Sequence, residues 1–109
     1  MSECLLVITN MPDAPSALKM AQQIIESHTA ACVNLLAPCT SVYRWQDKIE
    51  TASEIPLLIK TTSDAYPRLE AVIRTAHPYE LPEIIAVPLS AGLPAYLNWV
   101  KQESHSCKE

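Results

Sequence analysis

Glycine occurs once in the 109 residues, at Gly92. That scarcity excludes the glycine-rich loops that cradle phosphates and dinucleotides. Charge is sparse too: 18% of residues are charged, below the quarter or so usual for soluble proteins, so part of the surface is expected to be covered by other subunits. The eight Lys and Arg residues form no cluster. With a net charge of -4 and a pI near 5.3, the chain is not expected to bind nucleic acid. Long apolar runs are missing as well. The first, CLLVIT at residues 4–9, is too short for a signal core or a membrane span, which points to a cytoplasmic protein without membrane attachment. Cys4, Cys32, Cys39 and Cys107 form no CxxC pair, and they read as small strand hydrophobes, with thiol metal binding as the alternative. Ser, Cys and His show no catalytic spacing, so an enzyme is not expected.

What is present reads as one domain over residues 1–109, 49% hydrophobic and long enough for a modest core. CLLVIT suits a strand buried on both faces. Asp13 can cap a following helix, Pro15 fits its first turn, and Ala17, Ala21, Ile24 and His28 recur at helical spacing, with Leu18 and Ile25 in support. Residues 31–45 and 54–61 form a long hairpin through a turn at Gln46–Lys48, with Pro38 and Pro56 expected at edges or bulges because each lacks a ladder donor. Its first arm, extended, would span about 50 Å, against a radius of gyration of about 13 Å for a domain of this size. It must therefore bend at Pro38 or project, and a projecting apolar hairpin predicts an oligomer. Ser63 and Asp64 open a second helix whose inner face carries Tyr66, Leu69, Val72, Ile73 and Ala76, and Pro78 ends it, leaving His77 at its C-terminus. Residues 84–89, IIAVPL, read as another buried strand. A last helix after Gly92 aligns Leu93, Tyr96, Leu97 and Val100. This order is the ferredoxin-like βαββαβ arrangement, an α+β fold with an antiparallel sheet and a C-terminal helix.

The densest chemistry lies in HPYELPE, residues 77–83. His77, Glu80 and Glu83 offer nitrogen and oxygen ligands suited to copper, zinc or another divalent cation, but two prolines keep the backbone extended. A structural loop and a small-ligand pocket remain open beside a metal site. Lys60, at the end of an apolar strand, and Trp45, at the hairpin tip, read either as snorkelling and interface packing or as walls of a cleft between subunits, with Lys60 answering Glu83 or an anionic ligand. Asn34 either belongs to that wall or satisfies a core hydrogen bond. His105 and Cys107 offer a soft-metal pair in a tail that reads as frayed.

AACVN (30–34), VYRW (42–45), LLIKT (57–61), HPYELPEI (77–84) and YLNWV (96–100), in this order, closely resemble the CutA family of divalent-cation tolerance proteins over nearly the whole chain. The resemblance implies a homotrimer of PII-like architecture, with long hairpins packed across subunits. It implies a non-enzymatic role in tolerance or response to metal ions, with copper binding in some members. By position it implies an intersubunit cleft of Trp45, Lys60, Tyr79, Glu80 and Glu83, with His77 as the metal residue. Thr9 and Ala76 stand where some metal-binding members carry a cysteine and a second histidine, so only His77 of that set is kept. The alternative is a PII-like signalling or interaction trimer that binds a small anionic ligand in the same cleft.

Overall fold

A computed structural model describes residues 2–106. Strands β1 (Cys4–Met11), β2 (Cys32–Leu35), β3 (Cys39–Trp45), β4 (Lys48–Thr62) and β5 (Ile85–Pro88) alternate with helices α1 (Ala14–Glu26), α2 (Tyr66–Ala76) and α3 (Pro94–Glu103). The antiparallel sheet runs β2-β4-β1-β5, with β3 also paired to β4. The expected ferredoxin-like fold is thus formed. Its second strand is split in two.

The split is a bulge. Leu35 pairs with Leu57 and Cys39 with Glu54, so residues 36–38 lie opposite residues 55 and 56. Pro56 therefore sits in a central strand, where a proline normally breaks the ladder. The Leu36 N–H donates to the Pro56 carbonyl at 2.9 Å, so the donor-less proline nitrogen faces the same break and removes no ladder bond. Beyond it the β3–β4 arm projects, giving a longest dimension of 46 Å. At its tip Gln46 and Asp47 both have positive φ, 51° and 67°, the two-residue turn whose twist matches a hairpin, built here without glycine.

The core lies between one sheet face and helices α1 and α2. Val7, Met11, Leu57 and Ile59 point inward from β1 and β4, and meet Met20 and Ile24 of α1 and Leu69 and Ile73 of α2. Asp13 caps α1 as expected, its carboxylate accepting from the Ser16 N–H at 2.8 Å. The helix stops at Glu26, however. His28 lies beyond it at φ 58° and is not part of the inner face, while Met20 takes a core place and Leu18 and Ile25 are exposed. Ser63 and Asp64 do not cap α2. Thr62 instead accepts from the Ala65 N–H at 3.2 Å.

Cys4 and Cys32 alternate to the other sheet face, where α3 covers one end: Cys4 Sγ lies 3.7 Å from the Leu97 carbonyl and Tyr96 lies beside Cys32. Strand β1 is therefore covered on both faces only at that end. Further along, Leu6, Ile8 and Leu58 of this second face are only half-buried, and β5 is exposed throughout, with Ile85 and Val87 at 49% and 46%. The expectation that residues 84–89 form a buried strand fails for the single chain, because β5 is an edge that no helix overlies. Cys107 lies outside the described residues.

Among the described residues Thr9 Oγ1 and Ser104 Oγ are buried without a hydrogen-bond partner. An unpaired buried hydroxyl is destabilising, so Thr9→Val is expected to raise stability by about 1 kcal/mol. A thermal melt that drops instead means that the hydroxyl has a partner in the assembled protein.

Candidate functional site

Helix α2 ends as its sequence dictates. His77 takes an extended conformation before Pro78 (φ −75°, ψ 134°), and its N–H donates to the Ile73 carbonyl at 2.8 Å. This turns the imidazole inward, where it is 8% exposed. His77 Nε2 donates to the Asn10 carbonyl at 2.8 Å, and Nδ1 accepts from the Tyr79 N–H at 3.2 Å. A backbone donor on one nitrogen and a backbone acceptor on the other fix the neutral tautomer. Burial lowers the pKa below the usual histidine value, opposed by the Asn10 hydrogen bond and the Glu54 charge.

Asn10 also holds the far end of the segment, its side-chain amide donating to Glu83 Oε1 at 2.9 Å. One residue at the end of β1 therefore pins His77 and Glu83 and bows the residues between them outward. Tyr79 packs on the imidazole, ring centroids 4.7 Å apart, and presents its hydroxyl to the Glu54 carboxylate. Burial first, and then Glu54, push that phenol well above its ordinary value, so it serves as a hydrogen-bond donor. Glu54 is itself 8% exposed and accepts from Ser41 Oγ at 2.5 Å.

Between this segment and the β3–β4 arm runs a groove of about 810 Å³. Tyr79, Glu80, Leu81 and Glu83 form one wall, and Ser41, Tyr43, Arg44, Trp45 and Glu54 belong to the other. Four of the residues expected from sequence, Trp45, Tyr79, Glu80 and Glu83, are thus brought together within one chain. His77 stands behind the groove rather than in its lining. Lys60 is elsewhere: it pairs with Cys32 and Leu6 across the ladders and hydrogen bonds Asn34 Oδ1, so it does not answer Glu83 within the chain. Asn34 thereby has its side-chain oxygen bonded, but on an exposed residue and not in the core.

Asn10, Ser41 and Glu54 were not legible as site residues. Glu54 carried the better signal, a carboxylate at the head of an apolar strand. Asn10 gave none, since its two contacts come from 67 and 73 residues away in sequence. A metal finds no compact donor set here. Both imidazole nitrogens of His77 are engaged, and among the described residues no three His, Cys, Asp or Glu side chains gather to hold an ion.

The sequence profile of the CutA1 divalent ion tolerance protein family matches residues 5–103. The divalent-cation tolerance protein CutA of Thermus thermophilus is 37% identical over 99 residues, covering 91% of this chain and 96% of its own. Protein CutA of Mus musculus is 44% identical over 95 residues, 87% of this chain, but the match spans only 54% of the mouse protein. Among solved structures, CutA of Xylella fastidiosa superposes with a TM-score of 0.92 at 43% identity, covering 95% of this chain and all of its own. The PII-like protein CutA of Nostoc sp. PCC 7120 superposes at 0.86 with 33% identity, covering 97% of this chain and 99% of its own. Fold, signature segment and sequence thus agree over the same residues, and the chain belongs to the CutA1 divalent ion tolerance protein family.

Proposed function

We propose that this chain is a non-enzymatic, homotrimeric protein of divalent-cation tolerance whose groove takes its ligand at a subunit boundary. The observation that carries the reading is the joining of the family signature, residues 77–83, to a groove with three carboxylates, Glu54, Glu80 and Glu83, and one cation, Arg44. Such a balance attracts positive charge. It disfavours the small anion of the PII-like alternative. The half-exposed second sheet face and the projecting arm support assembly, since apolar faces and free strand edges call for cover. Lys60, absent from the groove of its own chain, reaches a ligand only through a neighbouring subunit's groove.

Copper or another divalent cation is bound weakly in this reading. Coordination by His77 through Nδ1 requires release of the Tyr79 amide, and the carboxylates reach an ion without a fixed imidazole beside them. Calorimetric titration with Cu²⁺ and Zn²⁺ tests this. Saturable binding, weakened in Glu83→Gln, is expected at affinities no tighter than about micromolar. Absence of saturable heat at about millimolar metal overturns the metal reading.

A further inference from the structure

We propose that the groove between the β3–β4 arm and residues 79–83 binds a small organic cation, an alkyl ammonium or guanidinium, in preference to a metal ion. The proposal deepens the reading of this groove as the ligand site and rests on it.

Three features point to this class. The first is aromatic. Tyr43, Trp45 and Tyr79 all line the groove, and ring faces attract cations most strongly when the cation sheds its water readily. Guanidinium and substituted ammonium do so, whereas small divalent ions keep their hydration unless several oxygens converge on them. The second is Glu54. This carboxylate is 8% exposed, yet the groups beside it are the neutral hydroxyls of Ser41 and Tyr79, and among the described residues no Lys or Arg pairs with it. A buried carboxylate calls for a counter-charge, and its two oxygens accept more hydrogen bonds than two hydroxyls supply. Glu83, at the other end, is exposed and bonded to the neutral Asn10 amide, so it adds negative charge to the groove without being buried. The third is size: about 810 Å³ suits a small organic molecule and is far larger than a single ion requires.

Arg44 provides the sign of the test. It lines the same groove, so its charge opposes a cationic ligand and would assist an anionic one. Agmatine, with a guanidinium at one end and an ammonium at the other, is the probe, titrated calorimetrically into the full-length protein. Saturable binding is expected, about tenfold weaker in Glu83→Gln, which keeps the Asn10 bond but drops the charge. Tyr43→Leu is expected to weaken it about threefold or more, and Arg44→Gln to tighten it about twofold. No saturable heat at about 10 mM agmatine overturns the proposal. So does binding that ignores Glu83→Gln, or that weakens in Arg44→Gln. Zn²⁺ titrated into the same samples separates the two readings. If agmatine fails while zinc binding responds to Glu83→Gln, the organic-cation class falls and the groove stands as a ligand site. If both fail, both fall.

Discussion

His77→Ala is expected to destabilise the protein by about 3 kcal/mol and to flatten its stability below neutral pH. The imidazole closes two backbone groups at once, the Asn10 carbonyl and the Tyr79 N–H. Alanine reaches neither, and each partly buried group left open costs about 1–3 kcal/mol. The pH effect follows from the depressed pKa. An unfolded histidine titrates near 6.5, whereas burial holds His77 lower in the fold. Between the two values the unfolded chain binds more protons, so stability is full above about 6.5 and declines as pH falls toward the folded pKa. Denaturant melts at about pH 5 and about pH 8, at one protomer concentration, measure both effects. The wild type should lose more stability than His77→Ala over that interval. An equal loss in both proteins means that another group governs the acid limb.

Leu58→Glu is expected to convert the assembly into folded monomers. Leu58 lies midway along the second sheet face, opposite Ile8, beyond the end that α3 covers. In a single chain the new carboxylate meets water and the fold survives. In a trimer that closes over this face it is buried without a partner, a cost of several kcal/mol for each subunit. Light scattering should give three times 12.0 kDa for the wild type and 12.0 kDa for the variant, with the far-ultraviolet circular dichroism retained. A trimeric mass for the variant places the interface elsewhere, and a monomeric wild type removes it.

How far the sequence disclosed this molecule depended on the range of the interaction concerned. The Asp13 cap and the stop before Pro78 are set by neighbours in the chain and were readable there, as was the turn, expected at Gln46–Lys48 and formed by Gln46 and Asp47 with Lys48 already in β4. The antiparallel sheet followed from the order of the elements, whereas its register and the split of the second strand did not. Burial was read less well where the covering partner lies outside the element. Residues 84–89 are apolar enough for a buried strand, but β5 is exposed in one chain because nothing in that chain overlies it. His28 fits the helical period of α1, yet the chain leaves the helix at Ser27, and period alone does not mark an end. The site divided in the same way. Trp45, Tyr79, Glu80 and Glu83 were named together by the family resemblance, and they line one groove. Asn10 and Glu54 became site residues only when the fold brought β1 and β4 beneath the signature segment.

The bulge at residues 36–38 has one further effect, on phase. Side chains alternate along a strand, so a single added residue exchanges which residue numbers, odd or even, lie on each side downstream. In β2 it is the even-numbered Cys32 and Asn34 that share a side with Lys60 and Leu58; past the bulge it is Ser41, Tyr43 and Trp45 that pair with Ala52, Glu50 and Lys48. Removing one residue from 36–38 would leave two residues opposite two, a regular ladder in which Cys39 still meets Glu54 and Ser41, Tyr43 and Trp45 keep the side they share with Ala52, Glu50 and Lys48. The side on which the arm presents its rings is thus set by its pairing with β4, and the bulge lets three residues on one strand meet two on the other without disturbing it.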